Sequence, residues 1–259
     1  MRNTWQRLAA TALALTLVLG LSVARAQAQL IVGNTAAFGG GPIKTHDFAT
    51  GGTVGSFVPT GAFNSNNGRG LAVLDNEVFY TELSGGFGAT DFIRVAPFNG
   101  GAGGADIRTL PNPRPGFGIQ DLAFSGGVLY ALTGYPFSSL KVFGLNPVTG
   151  AVLSGPVSIA GPASPSSDGF TVLPNGHFLI NNTDLSCTYN EYDSSTGALI
   201  PSTTIVVPGG GTCTGVDTDG VSLYFQHNFN SFVQTDLAGT FIASRLLLSP
   251  GFLEDISLV

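Results

Sequence analysis

The chain is poor in charged residues, and especially in basic ones. Only 10% of its 259 residues are Asp, Glu, Lys or Arg, and lysine occurs only as Lys44 and Lys141. Acidic residues outnumber basic ones, which gives a net charge of −6. Nucleic acid is therefore excluded as a partner, since phosphate binding needs clustered basic side chains. We expect a surface of Ser, Thr, Asn and Gly instead of charge.

Several residue types and motifs that carry chemistry are scarce or missing. The chain has two cysteines and three histidines, and its only Trp and only Met lie at Trp5 and Met1. No Gly-x-Ser-x-Gly elbow, P-loop or dinucleotide fingerprint occurs, so no motif supports a serine hydrolase or a nucleotide-binding enzyme. The 37 glycines and 15 prolines are spread between short apolar runs. That distribution indicates many tight turns in place of disorder.

The N-terminus has the pattern of a secretory signal peptide. Arg2 and Arg7 precede an apolar run at 8–23, and Ala24-Arg25-Ala26 follows as a cleavage pattern. The run is short for a membrane span, which needs about 20 residues; an uncleaved anchor is the alternative. We therefore predict a signal peptide at 1–28 and a secreted protein, extracellular or periplasmic, without a membrane span in the mature chain. Cleavage leaves 7 basic against 16 acidic residues, a net charge of −9.

A turn signature recurs five times along the mature chain, at intervals of 49, 50, 47 and 42 residues. Strand-like segments stand before and after each copy. Each copy therefore predicts a hairpin in which Gly supplies the positive φ of the turn. The copies are Thr50-Gly51, Asn99-Gly100, Thr149-Gly150, Thr196-Gly197 and Ala238-Gly239.

A second signature, offset from the first, marks one more strand in each repeat. In its first four copies a short turn leads to a further strand, so that one repeat contains four strands in sequence. Four-stranded units at this period are typical of β-propeller blades. The copies are GLAVL at 70–74, DLAFS at 121–125, GFTVL at 169–173, GVDTD at 215–219 and DISLV at 255–259.

The fifth copy is the C-terminus itself, and the strands that would complete it lie at the other end of the chain. Strand-like segments at 30–34, 42–49 and 53–58 supply them. We therefore predict an all-β protein, one five-bladed β-propeller over residues 29–259, whose last blade is closed by the N- and C-terminal strands. Such closure removes open sheet edges. A β-sandwich, a linear β-solenoid and a six-bladed propeller are the alternatives.

The repeat also predicts where a site would lie. The start of each blade's first strand and the end of its second strand gather at one mouth of the central channel. At these equivalent positions the blades differ from one another, whereas their apolar positions are alike. We therefore predict a polar, acidic ligand-binding site there. Its residues are Arg69, Glu82, Gln120, Asp121, Asp168, Asn181, Asn182, His227, Glu254 and Asp255. The alternative is that Asp and Asn only cap strand ends and turns.

An Asp or Asn precedes the turn glycine in several repeats, at Asn146 to Gly150, Asp193 to Gly197 and Asp236 to Gly239. In this respect the chain resembles the NHL, YWTD and SMP-30/gluconolactonase class of β-propellers. The resemblance implies a propeller fold and a calcium ion at the channel, where the carboxylate and amide groups would supply oxygen ligands of the kind that calcium prefers. In that case Asp168, Asn181 and Glu254, or Glu82 in its place, would be the ligands. Secreted five-bladed lectins are a second comparison, which the lack of a mature Trp weakens.

The cysteines and histidines give weaker predictions. Cys187 follows a second strand and Cys213 begins the next blade, so we predict a disulfide between neighbouring blades; a catalytic thiol is the alternative. His46, His177 and His227 fall on different parts of the blades and suggest no zinc site. His227 is either a lining residue or a general base beside Asp168 or Glu254.

These observations favour two functions that use the same mouth. The first is a secreted binding or interaction module for a small polar ligand, a glycan or an extracellular protein. The second is a calcium-dependent hydrolase of the lactonase type. A scaffold without a pocket is a third possibility.

Overall fold

The computed structural model describes residues 30–36, 42–58, 70–81, 92–99, 102–135, 139–164, 166–183, 185–248 and 252–259. The predicted signal peptide and the predicted site residues Arg69 and Glu82 lie outside these ranges. The described residues form β-strands, turns and connections. They contain no helix with the length and hydropathy that crossing a membrane requires.

The strands form five antiparallel blades, as the repeat predicts. Blade 5 begins with the C-terminal strand and continues with the first three strands of the described chain. Blade 5 contains β1 (Leu30–Ala36), β2 (Ile43–Asp47), β3 (Thr53–Phe57) and β21 (Phe252–Leu258). Blade 1 contains β4 (Leu71–Leu74), β5 (Glu77–Thr81), β6 (Phe92–Asn99) and β8 (Arg108–Pro111), with the short β7 (Ala102–Gly103) paired to β6.

The remaining three blades follow in chain order, and each runs from the channel outwards. Blade 2 contains β9 (Gly118–Ser125), β10 (Val128–Tyr135), β11 (Lys141–Leu145) and β12 (Val152–Ser158). Blade 3 contains β13 (Phe170–Val172), β14 (Phe178–Asn181), β15 (Thr188–Tyr192) and β16 (Ile205–Val206). Blade 4 contains β17 (Val216–Thr218), β18 (Ser222–His227), β19 (Ser231–Asp236) and β20 (Phe241–Leu246).

Blade 5 confirms the predicted closure of the ring. Strand β1 lies between β21 and β2, with Gly33 opposite Ile256 on one side and opposite Lys44 on the other. The N-terminal strands therefore complete the blade that the C-terminal strand begins. The five-bladed prediction is confirmed, and the sandwich, solenoid and six-bladed alternatives are wrong.

The described core is divided into five apolar clusters, one at each seam between neighbouring blades. Successive side chains of a strand point to opposite faces, so a blade packs one face on each neighbour. At the seam of blades 1 and 2, for example, Phe79 and Ile93 pack against Leu129 and Leu145. The other four clusters follow the same plan at the remaining seams. This double burial explains why most strand positions in the inner part of each blade are apolar.

The turn glycines serve both the hairpins and the seams. Four of the five predicted turns lie in the described chain, and their glycines have φ between 71° and 86°. In blade 3 the side chain of Asp193 accepts the N–H of Thr196 at 2.8 Å and so closes the turn. A Cβ atom added at Gly197 would overlap the carbonyl of Ser158 in blade 2. Glycine is therefore required by the backbone conformation and by the close approach of the neighbouring blade.

Candidate functional site

The predicted mouth residues that the structure describes are mostly buried. The exposed fraction is at most 2% for five of them, and three others are half-buried. The buried ones are Gln120, Asp121, Asp168, Asn181 and Asp255. The half-buried ones are Asn182, His227 and Glu254.

Two carboxyl groups lie near the middle of the inner strands β9 and β21 and connect blades. Asp121 of blade 2 accepts the backbone N–H of Phe170 in blade 3 at 2.7 Å. In the same way, Asp255 of blade 5 accepts the backbone N–H of Leu71 in blade 1 at 2.7 Å. The second oxygen of each carboxyl accepts the N–H of the following residue in its own strand. Both side chains therefore bond the inner strands of neighbouring blades to each other.

Glycines occupy the other three equivalent positions of this row. A Cβ atom at Gly215 would overlap the carboxyl of Asp255, and one at Gly70 would lie 3.1 Å from the Cα of Asp121. The channel of a five-bladed ring is narrow, so two aspartates leave room only for glycine at these two places. The differences between blades in this row thus arise from packing.

Burial and mutual contact shift the ionisation of the two carboxyl groups. Burial raises the pKa of Asp121 well above its usual value, and the charge and hydrogen bond of Asp255 raise it further. Burial also raises the pKa of Asp255, while the hydrogen bond from Asp121 opposes this rise. The two carboxyl groups therefore share a proton at a pH where an exposed aspartate is ionised. Burial, and then the charges of Asp168, Asp121 and Asp255, raise the pKa of the nearby Tyr189.

A third aspartate lies further along the axis. Asp217 of blade 4 accepts the N–H of Leu258 at 2.8 Å and the hydroxyl of Ser257 at 3.0 Å, both in blade 5. Burial raises the pKa of Asp217, and these hydrogen bonds oppose the rise. Next to it is a cavity of about 130 Å³, whose lining includes Ala123 and Thr218. Because four donors already reach the Asp217 carboxyl, its main role is to join blades 4 and 5.

The second-strand residues of the predicted site bond backbone groups within their own blades. Asn181 accepts the N–H groups of Asp168 and Gly169 at 3.0 and 3.1 Å, and donates to the Asp168 carboxyl at 2.9 Å. At the corresponding place in blade 4, Gln226, which is not among the predicted site residues, accepts the N–H of Thr214 at 3.0 Å. These contacts are the ones expected if Asp and Asn side chains only cap strand ends and turns. A ligand-binding role for the mouth residues stays a prediction.

The residues predicted to hold calcium do not present a free set of oxygens. The amide oxygen of Asn181 already accepts two backbone N–H groups, and one oxygen of Asp168 accepts the amide of Asn181. In the described part of the chain, no three His, Cys, Asp or Glu side chains are arranged to hold a metal ion. A calcium site at Asp168, Asn181 and Glu254 stays a prediction, and Glu82 lies outside the described residues.

His227 belongs to a different feature, a groove of about 280 Å³ between blades 3 and 4. The outermost strand of blade 3, β16, has only two residues. It therefore leaves the outer strands of blade 4 uncovered on the side of blade 3. The groove is lined by Pro208, Gly209, His227, Ser231, Val233, Phe241, Ser244, Arg245 and Leu246.

The groove combines apolar and polar groups. The exposed fractions of Phe241 and Leu246 are 52% and 56%. Nε2–H of His227 donates to the carbonyl of Gly210, so its Nδ1 is left as an acceptor, 3.5 Å from the Ser231 hydroxyl. Sequence reasoning identified His227 but missed Phe241 and Ser231. The one sequence feature that could have identified Phe241 as a groove residue is its position in an apolar outer strand.

The predicted disulfide is confirmed at the same seam. Cys187 of blade 3 and Cys213, which precedes β17 of blade 4, are bonded at 2.02 Å with their Cα atoms 4.8 Å apart. Between β16 and Cys213 runs a loop in which Gly209, Gly210 and Gly211 all have positive φ. Sγ of Cys187 and Nε2 of His227 both contact the carbonyl of Gly210 in this loop. One wall of the groove is therefore covalently fixed to blade 3.

Comparison with known proteins shows similarity at the level of fold. No protein-family model matches the chain, and no curated protein matches it. A protein of unknown function from Bacteroides caccae is 11% identical with a TM-score of 0.53, over 90% of this chain and 99% of that one. Myxococcus xanthus glutaminyl cyclase is 13% identical with a TM-score of 0.47, over 73% and 69%. Apo AztD from Citrobacter koseri is 14% identical with a TM-score of 0.38, over 84% and 55%.

The likeness to the Bacteroides caccae protein shows a shared fold, and an identity this low carries no information about activity. The resemblance to the NHL, YWTD and SMP-30 class is supported as far as the propeller architecture, and no family match supports the class itself. By its structure, the chain is a five-bladed β-propeller.

Proposed function

We propose that the protein is a secreted binding module that holds a small hydroxyl-rich ligand, such as a glycan, in the groove between blades 3 and 4. The observation that carries this proposal is the exposed ring of Phe241 in the same groove as the polar side chains of His227, Ser231 and Ser244.

The chemistry of the groove suits a carbohydrate. A sugar ring has an apolar face of C–H groups and an edge of hydroxyl groups. The Phe241 ring and Leu246 offer an apolar surface for the face, and hydroxyl and imidazole groups offer hydrogen bonds for the edge. The volume of about 280 Å³ is at the lower end of ligand pockets, which span roughly 300–1,000 Å³. A mono- or disaccharide fits this size better than a long chain.

The groove is a better site than the axial channel for a physical reason. A ligand at the described mouth residues would have to break internal hydrogen bonds of Asn181 and Asp168 that stabilise the blades. Removing the partner of a buried polar group costs about 1–3 kcal/mol. Phe241, Ser244 and Leu246 of the groove are already exposed to solvent, so a ligand there requires no such exchange. The disulfide supports the secreted part of the proposal, since such bonds persist in oxidising compartments.

A glycan array probed with the mature chain, residues 29–259, tests the proposal. We expect binding to a defined set of glycans that falls at least tenfold for Phe241→Ala and for His227→Ala. Phe92→Ala is the matched control, because Phe92 is a similarly exposed aromatic residue (44%) on blade 1. It should bind as the wild type does.

Two further variants separate the groove from the mouth. Asn182→Ala and Glu254→Ala change half-buried mouth residues outside the groove lining. If the groove is the site, both keep full binding. Loss of binding in these variants, with Phe241→Ala unaffected, would instead assign the ligand to the channel mouth.

A further inference from the structure

The inner strands of the five blades turn one row of backbone groups towards the axis. Residues of an antiparallel pair alternate between hydrogen-bonded and non-hydrogen-bonded positions, and at the latter both the N–H and the C=O point away from the partner strand. In blade 4 the N–H of Gln226 donates to the carbonyl of Gly215 at 2.8 Å, which marks a hydrogen-bonded position. Thr218 lies three residues further on, opposite Leu223. Its backbone groups therefore point away from β18 and towards the axis.

Each blade has a residue at this place, and together the five are called the axial row. The row consists of Val73, Phe124, Val172, Thr218 and Leu258. The N–H of Val73 donates to Oγ of Ser257 at 3.2 Å. The N–H groups of Thr218 and Leu258 donate to the carboxyl of Asp217 at 2.7 and 2.8 Å. In the part of the chain that the structure describes, none of the five carbonyls accepts a turn or side-chain hydrogen bond. The row therefore leaves mainly carbonyl oxygens open to the axis.

The cavity of about 130 Å³ beside Asp217 lies at the level of the axial row. Four of its eight lining residues belong to the row, and only Val172 is not among them. The lining comes from blades 1, 2, 4 and 5, so the cavity spans the axis. At the position of Asp217, blades 1 and 2 on the far side of the ring have the alanines Ala72 and Ala123. These small side chains leave the space unfilled.

Asp217 brings a negative charge to this cavity. Among the described residues, no Lys, Arg or His side chain forms an ion pair with it. The donors that reach its oxygens are neutral N–H and hydroxyl groups. They occupy the lone pairs of the carboxylate and leave its charge uncompensated. A charge held away from water is costly unless an opposite charge lies beside it.

We propose that the axial row and Asp217 bind one monovalent cation, K⁺ in preference to Na⁺, in this cavity. Rings of backbone carbonyls replace the hydration shell of K⁺ in proteins, and K⁺ gives up its hydration water more readily than Na⁺. The carboxylate of Asp217 balances the charge of the ion, and the carbonyl oxygens coordinate it.

The size and charge of the cavity agree with this occupant. A single water molecule needs roughly 10–15 Å³, so the cavity has room for the ion and part of its hydration water. Calcium affinity depends on the number of charged ligands, and Mg²⁺ demands a near-ideal octahedron. One carboxylate suits a monovalent ion better than either. Asp217 and Thr218 are half-buried, so the ion can exchange with solvent.

This inference goes beyond the proposed glycan groove and does not depend on it. None of the groove residues lines the axial cavity. The cation site also differs from the predicted calcium site, which uses Asp168, Asn181 and Glu254. A monovalent ion at Asp217 therefore stands or falls separately from both.

Thermal melts of the mature chain at constant ionic strength test the proposal. We expect the melting temperature to rise and saturate as K⁺ replaces choline, whose methyl groups keep its charge away from carbonyl oxygens. Na⁺ should give a smaller rise. In Asp217→Asn the rise caused by K⁺ should be lost, because the ion no longer neutralises a buried charge.

Asp193→Asn is the matched control for these melts. Asp193 also accepts backbone N–H groups, at 2.8 and 3.0 Å, but on an exposed turn of blade 3. This variant should keep the full rise caused by K⁺. A wild type with equal melting temperatures in K⁺ and choline overturns the proposal. An equal rise in Asp217→Asn and the wild type would show a general salt effect and would also overturn it.

A crystal structure of the mature chain in a rubidium salt locates the ion without any variant, because Rb⁺ replaces K⁺ and scatters anomalously. We expect one anomalous peak on the axis, beside Thr218 and Leu258. This measurement decides the question even if Asp217→Asn does not fold. Water density alone at that place would refute the cation site.

Discussion

Asp121 and Asp255 share a hydrogen bond on the axis of the propeller, and each of the two carboxyl groups also accepts a backbone N–H from the inner strand of the next blade. The pair thus connects blade 2 to blade 3 and blade 5 to blade 1. Since burial disfavours the charged form, the shared proton is part of the folded structure. The pair therefore helps to hold the ring together at its axis.

This pair should make the stability of the protein depend on pH. The pKa of Asp121 is raised in the folded state above its ordinary value of 3.8. The folded chain therefore binds this proton more tightly than the unfolded chain does. The contribution of the bound proton to stability is full below pH 3.8 and is lost as the pH rises through the pKa of the folded state. Asp121→Asn keeps a donor towards Asp255 and cannot ionise. We expect a smaller decline in the free energy of unfolding between pH 4 and neutral pH than in the wild type.

Urea unfolding at a series of pH values measures this slope. The quantity to compare is the change in the free energy of unfolding with pH. Its absolute value is less informative, because the asparagine side chain of the variant has one acceptor fewer for a backbone N–H than Asp121 and so lowers stability at every pH. Asp47→Asn is the control: hydrogen bonds from Thr50 lower the pKa of Asp47, so its contribution is present above pH 3.8 and is lost at more acid pH. A decline in Asp121→Asn as steep as that of the wild type would contradict a proton shared on the axis.

The close approach of blades at the turn glycines gives a second prediction. Gly197→Ala should destabilise the fold more than Gly176→Ala. Both glycines have positive φ, at 71° and 85°, where a non-glycine residue costs about 1–2 kcal/mol. Around Gly176 there is open space, whereas at Gly197 the methyl group would overlap the carbonyl of Ser158 in blade 2. Overpacking of this kind adds about 1–3 kcal/mol.

Denaturant unfolding of the two alanine variants, with the wild type beside them, measures this difference. Equal losses of stability in the two variants would show that the seam at Gly197 has room to adjust.

The architecture could be predicted from the sequence because its signals are local and repeated. A glycine with positive φ in each hairpin turn, as at Gly150, is dictated by backbone sterics and recurs at one spacing. The closure of blade 5 followed from counting strands at both ends of the chain. The disulfide followed from placing Cys187 and Cys213 on that repeat.

The candidate site could not be predicted in the same way, because it depends on distances between blades. Aligning the repeats placed Asp121 and Asp255 in one row, but it could not show that their oxygens reach Phe170 and Leu71 of other blades. The groove exists because β16 is short, and this length is set by tertiary packing. Phe241 was recognisable as an apolar strand residue and not as an exposed one.

Calcium dependence can be tested directly. We expect the melting temperature of the mature chain to be unchanged by EDTA and by added Ca²⁺, because the amide oxygen of Asn181 and one oxygen of Asp168 are already hydrogen-bonded. The measurement is a thermal melt in chelator, in calcium and in magnesium. A calcium-specific rise in melting temperature, abolished in Glu254→Gln, would favour the metal-dependent hydrolase over the binding module.

The disulfide should contribute more to the stability of this protein than the burial of its two side chains alone suggests. Three seams of the ring carry a carboxylate that accepts a backbone N–H from the next blade, through Asp121, Asp217 and Asp255. At the seam of blades 3 and 4, where the groove opens, the covalent bond of Cys187 and Cys213 takes the corresponding role. Its sequence separation of 26 residues implies a stabilisation of about 3–4 kcal/mol from the restricted unfolded chain.

The double variant Cys187→Ala/Cys213→Ala should therefore lose about 3–4 kcal/mol in urea unfolding, and the wild type in reductant should approach it. Because this disulfide fixes one wall of the groove to blade 3, the variant should also lose glycan binding at temperatures where it is still folded. Ala replaces both sulfur atoms, so no buried thiol is left to complicate the comparison. An unchanged unfolding midpoint would show that the apolar cluster of this seam holds blades 3 and 4 together without the disulfide.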